Sequence, residues 1–252
     1  MTLGKRALNT SVKALTTLLC RVDARELDRV PQRGPLIIVG NHVNFLDAPV
    51  VFTRLQPRPV TGFAKAETWD TPGLRFLFNT WEAIPIRRGE ADLQAFRSGL
   101  SALERGYIVG LAPEGTRSGH GRLQRGRGGA VLLAMQSGAP LLPMAWYGAE
   151  NYRSQWSRLR RANFRVVVGR PFTLRTEGTR LRRLERQRIT DEIMYQVAAV
   201  LPPAYRGYYA DLDAATEEYL CFTPPAMSNL PNTCGAKPPI QAGQPAVSEP
   251  PP

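Results

Sequence analysis

The chain opens with one hydrophobic rhythm and changes to another near residue 35. Over residues 1–22, Leu8, Val12, Leu15, Leu19 and Val22 recur at helical spacing. Lys5, Arg6, Lys13 and Arg21 stand among the small polar residues between them. The pattern predicts a basic amphipathic helix, which either lies in a membrane interface or docks on its own domain. From Pro35 short apolar runs take over: LIIV (36–39), VTGFA (60–64), AIPI (83–86), YIVGL (107–111), LLPMAW (141–146) and FRVVV (164–168). Several are continuous rather than alternating, as in strands covered on both faces. Helical stretches separate them. In 91–104, Leu93, Phe96, Leu100 and Leu103 share a face and Gly106 follows as a stop. Near 181–200, Ile189, Ile193, Val197 and Val200 share another. Strand alternating with helix predicts an α/β fold, a mostly parallel central sheet flanked by helices in a single domain. Such sheets bind ligands beyond the carboxyl ends of their strands.

The same pattern divides the chain in three: 1–34, the basic helix and a linker; 35–212, the folded domain; and 213–252, a tail. Beyond about Thr223 the tail is Pro-rich and polar, ends SEPPP, and is expected to be disordered. Charge is lopsided over the 252 residues, with 33 Lys and Arg against 21 Asp and Glu. Most of the basic residues are Arg, whose planar fork suits phosphate. The bland alternative is Arg spread over a solvated surface. No stretch reaches the ~18 apolar residues of a membrane span, and the N-terminus lacks the apolar core and cleavage site of a signal peptide. Cys20, Cys221 and Cys234 are odd in number and scattered, with no metal spacing or disulfide framework. A reducing cytoplasm is the expectation. His42 and His120 lie in no ligand spacing, so neither a metal nor a cofactor is expected.

Four segments after apolar runs carry candidate chemistry. The first is GNHVNFLDAP, residues 40–49. LIIVGNH reads as a strand entering a turn, which puts His42 at a strand's carboxyl end. Residues five apart on one helix face different ways, since each turns the helix by ~100°. His42 and Asp47 therefore meet only across a turn, which NFLDAP can supply. Asp47 would then accept from one imidazole nitrogen and leave the other as a base. The alternative is that Asp47 is an N-cap and His42 a satisfied polar group. The second segment is APEGTRSGHGR, after YIVGL. Pro113 and Gly115 predict a tight turn, and Glu114, Thr116, Arg117 and Ser118 place polar groups on it. His120 is expected to be an exposed loop residue. The third is IPIRRG, where Arg87 and Arg88 meet no acid until Glu90 and can clamp a phosphate. The fourth is GAPLLPMAWYG, a buried strand with Pro140 and Pro143, read on its own as an edge strand.

Taken together and in order, these segments resemble the glycerolipid acyltransferases, typified by 1-acyl-glycerol-3-phosphate acyltransferase. The family's first block is a His, four residues and an Asp, usually preceded by Asn: here Asn41, His42 and Asp47. The second ends in an Arg after an apolar strand, with Arg88 in that position. The third is a Pro-Glu-Gly-Thr-Arg-Ser loop, matched by Pro113 to Ser118. The fourth is an apolar run around a Pro, matched by PLLP with Pro143 in place. FAKAE, with Lys65 and Glu67, resembles the stretch between the first two blocks. The resemblance covers roughly residues 30–175. Two positions depart from it: Glu82 where the second block often begins with Gly, and Ala112 where Phe often precedes the third.

The resemblance implies a glycerol-3-phosphate acyltransferase-like fold and transfer of a fatty acyl group from a thioester, on coenzyme A or acyl carrier protein, to a hydroxyl. The acceptor it implies first is lysophosphatidic acid, giving phosphatidic acid. Glycerol phosphate, another lysophospholipid or an amino-lipid are the alternatives. His42 would be the base and Asp47 its orienting partner, with no covalent acyl-enzyme. Arg88, Glu114 and Gly115 would help hold the glycerol phosphate, with Thr116, Arg117 and Asn41 as further substrate-binding candidates. A carboxylate repels phosphate, so Glu114 is expected to accept from a hydroxyl or to fix an Arg. The Arg-rich region 153–188 suits anionic headgroups or the phosphates of coenzyme A. The expected place is the inner face of the cell membrane, on its cytoplasmic side, with an anionic membrane surface as partner. Two other classes compete. RGRGG (125–129) suggests nucleic-acid binding, but it occurs once and no aromatic-studded strand accompanies it. No nucleic acid is expected, and Gly129 is expected to start a helix instead. A serine hydrolase with Ser118 as nucleophile lacks the G-x-S-x-G elbow.

Overall fold

A computed structural model describes residues 3–87, 92–175, 181–223 and 227–231. The helices are α1 (Leu3–Leu19), α2 (Asp47–Arg54), α3 (Pro72–Thr80), α4 (Leu93–Glu104), α5 (Gly129–Ser137), α6 (Tyr152–Ser157) and α7 (Arg183–Ala199). The strands are β1 (Cys20–Asp23), β2 (Leu36–Gly40), β3 (Val60–Lys65), β4 (Ile84–Ile86), β5 (Ile108–Leu111), β6 (Leu141–Tyr147), β7 (Ala162–Val168), β8 (Thr173–Leu174) and β9 (Leu220–Cys221).

Seven strands form one sheet in the order β1-β7-β6-β2-β5-β3-β4. The five from β6 to β4 run parallel, and β7 turns antiparallel against β6. The α/β reading, a mostly parallel sheet between helices, therefore holds. Continuous apolar strands fill the centre for the expected reason. Along β2, Ile37 and Val39 enter the core under α4, α5 and α7, while Leu36 and Ile38 enter the core under α2. Near the edge the pattern relaxes. In β7, Ala162, Phe164, Val166 and Val168 are buried while Asn163 and Arg165 are exposed, the alternation of a strand with one wet face.

Pro143 lies in the sheet's interior, not on an edge: β6 is flanked by β2 and β7. Its carbonyl accepts from Gly169, just past the end of β7. A residue's N–H and C=O point to the same side of a strand, so the missing N–H of Pro143 faces a place where the β7 ladder has stopped.

Three boundaries differ from the sequence expectation. The first helix ends at Leu19, and Cys20–Asp23 pairs in parallel with Ala162–Arg165 as the outermost strand. Cys20–Asp23 is thus a strand of the sheet, followed by a short 3-10 helix over Arg25–Arg29, because pairing with an open edge outweighs helical spacing at Val22. The chain also stays folded past 212. β9 pairs with β8, Leu220 is buried, and the buried Glu192 of α7 accepts from Thr216 Oγ1 and from the amides of Glu218 and Tyr219. These amides need a partner once buried, and a polar sequence does not reveal that one waits on α7. Residues 232–252, where disorder was expected, lie outside the described residues. Finally, α4 buries Ala95, Gly99, Ala102 and Leu103, leaving Leu93 at its first turn 66% exposed. Small residues set the buried face because α4 lies close to its neighbours: the ring of Phe63 is 2.8 Å from where a Cβ on Gly99 would stand.

Candidate active site

The first candidate segment sits where β2 runs out. Gly40, its last residue, has the Trp146 ring 2.6 Å from where a Cβ would stand and the Met144 carbonyl oxygen at 2.9 Å. No side chain fits there. Asn41 follows and is buried. Its amide nitrogen donates to the Trp146 carbonyl (2.8 Å) and its oxygen accepts from the Trp146 amide (3.0 Å). Asn44 repeats the device, donating to the Ala149 carbonyl (2.8 Å) and accepting from the Leu46 amide (2.8 Å). The two asparagines fasten the loop to the end of β6 and to the residues just beyond it. Asn41 thus anchors the loop, with one donor and its oxygen engaged by Trp146.

Held this way, His42 and Asp47 meet: His42 Nδ1 is 2.7 Å from Asp47 Oδ2. The same oxygen accepts from the amides of Val43 (2.8 Å) and Asn44 (3.1 Å). Those donors precede α2, whereas an N-cap side chain accepts from amides inside its helix. The cap position belongs to Leu46, which has no side-chain oxygen to offer. Asp47 therefore closes a turn backwards onto the imidazole. Its side chain is 4% exposed and that of His42 is 22% exposed. The carboxylate is sealed and the ring reaches solvent. With Nδ1 donating to Asp47, Nε2 is the nitrogen left to act as a base.

The second segment follows β5 and is tied to the first. Ser118 donates its amide to the His42 carbonyl (2.8 Å) and Gly119 to that of Val43 (3.0 Å). Glu114 is 2% exposed. One of its oxygens accepts from the His42 amide (2.8 Å) and the other from the Gln124 amide (3.0 Å). Each oxygen is thus engaged by a backbone amide, and among the described residues no Arg pairs with it. Burial, the larger influence, pushes its carboxyl up to about 7 against the pull of these amides. Gly115 takes the left-handed region at φ +72°. Thr116 and Arg117 are exposed on the rim beside it. Ser118 Oγ accepts from the Gly121 amide (3.1 Å), a turn contact rather than an attachment to His42. His120 is exposed, its Nδ1 accepting from the Arg122 amide.

Arg88 lies outside the described residues. Its neighbour Arg87 is exposed after β4 and gives its amide to Asp92. Lys65, at the end of β3, pairs with Glu67 at 3.0 Å. One rim residue escaped the sequence reading. Arg127, from the RGRGG stretch, reaches back over the second segment. Its Cδ, Nε and Cζ lie 3.2, 3.3 and 3.6 Å from where a Cβ on Gly115 would stand. The signal was the stretch itself, read as a glycine-rich turn into the helix that does begin at Gly129.

The structure thus defines an α/β protein with an imidazole at a parallel strand's carboxyl end, held against a sealed carboxylate and rimmed by arginines. The profile of the Acyltransferase family matches residues 21–147. The chain belongs to that family, and its relatives are O-acyltransferases. It is 23% identical over 162 residues to a 1-acyl-sn-glycerol-3-phosphate acyltransferase of Bacillus subtilis, covering 64% of this chain and 78% of that protein. It is 30% identical over 114 residues to a lyso-ornithine lipid O-acyltransferase of Pseudomonas aeruginosa, covering 45% of this chain and 43% of that one. It spans only 45% of the chloroplast enzyme of Brassica napus that it also matches. Among solved structures, the acyltransferase PlsC of Thermotoga maritima shares the fold with a TM-score of 0.57 at 18% identity, covering 75% of this chain and 77% of that one.

Proposed function

We propose that this protein transfers a fatty acyl group from a thioester, carried on coenzyme A or acyl carrier protein, to the free hydroxyl of 1-acyl-glycerol-3-phosphate. The product is phosphatidic acid. The observation that carries the reading is the 2.7 Å contact of His42 Nδ1 with a sealed Asp47, which leaves Nε2 as the nitrogen to act as base. An alcohol needs a base as it attacks. His42 Nε2 takes the hydroxyl proton, and Asp47 stabilises the imidazolium. The alkoxide oxygen bonds to the thioester carbonyl carbon, giving a tetrahedral oxyanion. Its collapse breaks the carbon–sulfur bond, and the leaving thiolate takes the proton back from His42. Arg117 would meet the acceptor's phosphate; support comes from its neighbour Ser118, whose amide is bonded to the His42 carbonyl.

A second acceptor, a lyso-ornithine lipid, is favoured by the likeness to the Pseudomonas aeruginosa enzyme of that name. The decisive experiment is thiol release from acyl-coenzyme A with each acceptor, for the parent and His42→Ala. Release that depends on lysophosphatidic acid and falls by about 10²–10⁴ in the variant is expected. Release that is unchanged in His42→Ala removes the base. Release with the ornithine lipid alone transfers the reading to that acceptor.

The protein is also proposed to work at the inner, cytoplasmic membrane surface. Among the described residues no helix is long and apolar enough to cross a membrane. Support comes from α1, which buries Asn9 and Thr16 against the domain and turns Leu3, Leu15 and Leu18 outward, beside Arg6 and Lys13.

A further inference from the structure

The RGRGG stretch has no part in the chemistry described above, yet the fold brings it to the site. Two of its glycines are explained by packing. Gly126 has Met194 and Thr190 2.7 and 2.8 Å from where a Cβ would stand, and Gly128 has the stem of Arg186 at 2.8 Å. Both contacts are with α7. Arg127, between them, turns away from α7 and lays its side chain on Gly115. One backbone tie and one side-chain bridge fix this arrangement. The Arg127 amide donates to the Pro113 carbonyl (2.8 Å). Glu114 bridges the His42 amide on one side and the Gln124 amide on the other. The guanidinium is therefore one residue removed from the carboxylate that holds the base.

Charge makes this placement informative. Among the described residues no acidic side chain pairs with Arg127 or with Arg117. Glu114, the nearest acid in sequence to both, is buried with its oxygens on backbone amides. Its proximity therefore gives Arg127 no partner. Gly115 leaves room above the turn, and Arg127 occupies that room. An exposed guanidinium resting on a bare peptide keeps its N–H edge open, the geometry that takes a phosphate two oxygens at a time.

We infer that Arg127 binds a phosphate group of a substrate beside His42, with Arg117 on the same rim. The inference rests on the acyl-transfer reading of the site. Two substrates of that reaction bring phosphate: the phosphomonoester of the acceptor and the phosphates of coenzyme A. The test is equilibrium binding by calorimetry to the full chain, without turnover. The two probes are a short-chain 1-acyl-glycerol-3-phosphate kept below its micelle concentration, and coenzyme A. Arg127→Gln is compared with the parent and with Arg122→Gln, which removes an exposed charge from the same loop.

Losing a charge-assisted contact of this kind is expected to raise Kd about 10- to 100-fold. A rise for the lysophospholipid alone supports the inference and assigns the phosphate to the acceptor. A rise for coenzyme A alone supports it and assigns the phosphate to the donor. Kd values within about twofold for both probes overturn it, as does an equal loss in Arg122→Gln, which would mean a general charge effect. A parent that binds neither probe overturns it too. Thiol release by the same parent preparation reports separately on the acyl-transfer reading. An active parent with an indifferent Arg127→Gln sinks only this inference.

Discussion

Glu114 is the residue whose role changes most between sequence and structure. In sequence it is an acid in a loop that resembles a phosphate site. In the fold it is a buried clasp with one oxygen on the His42 amide and the other on the Gln124 amide. Glu114→Gln keeps the shape but can accept with one oxygen only, so one tie is lost. The kcat is expected to fall about tenfold while the acceptor KM stays within about twofold, since the residue acts through His42. A rise in acceptor KM at constant kcat would return Glu114 to the substrate. Its titration adds a second readout. The folded carboxyl titrates at about 7 against an ordinary 4.5. Between those values the folded protein keeps a proton that the unfolded chain has released. The stabilising contribution is complete below pH 4.5 and is lost as pH rises through about 7, a change of up to about 3 kcal/mol. Urea melts between pH 5 and 8 should therefore lose more stability in the parent than in Glu114→Gln. The His42–Asp47 pair was legible because five residues and one turn fix it locally. Asn41 and Glu114 were not, because nothing in a polar side chain's neighbours in sequence says that it is buried.

At the scale of elements, α1 shows why a hydrophobic stripe misleads. Its apolar stripe is only half-buried at Leu8, Val12 and Leu19, and the residues it buries fully are the polar Asn9 and Thr16. Asn9 accepts from the buried Trp81 indole (2.8 Å), and Arg54 of α2 reaches Thr16 and Thr17. The helix is tied further by Lys5 to Glu82 at 3.0 Å. Glu82 sits at φ +53°, in the left-handed region, where the family's second block often has Gly. Tyr107 and Arg105 also hold its carboxylate. Burial pushes that carboxyl up, but Lys5, Tyr107 and Arg105 together bring it below its ordinary value. A depressed folded value means that the tie is fully present above the unfolded value near 4.5 and fails as pH drops through the folded one. Solvent screening keeps it to about 0.2–1 kcal/mol. Amide exchange along α1 is expected to quicken by a few-fold in Glu82→Gly at pH 7, with the rest of the sheet unchanged. Equal protection of α1 in both proteins would show that Asn9 and Thr16 hold it alone. The strands of the sheet centre were legible because burial on both faces leaves unbroken apolar runs. β1 was not, because four residues at an edge carry no pattern that outvotes a preceding helix.

For the whole molecule, the proposed contact with a lipid surface falls to the outward leucines of α1. Leu18 is 70% exposed in this protein, beside a basic face. Burying three leucines at an interface is worth several kcal/mol at ~25 cal/mol per Å², and anionic lipid adds attraction for the basic residues. Leu15→Ser with Leu18→Ser is expected to lower binding to anionic vesicles by at least about tenfold, measured by co-sedimentation, while leaving turnover of dispersed acceptor intact. Undiminished binding would move the contact elsewhere. The site beneath is divided unevenly. His42 and Asp47 are fixed by bonds from the loop after β5, from the end of β6 and from the amides of their own loop. Thr116, Arg117 and Arg127 stand exposed above them, with far less of the structure depending on their identity. On the proposed reading, His42 can stay unchanged while headgroup preference drifts, so new acceptors would open to a lineage, or to an engineer, through three surface positions that put little of the fold at risk.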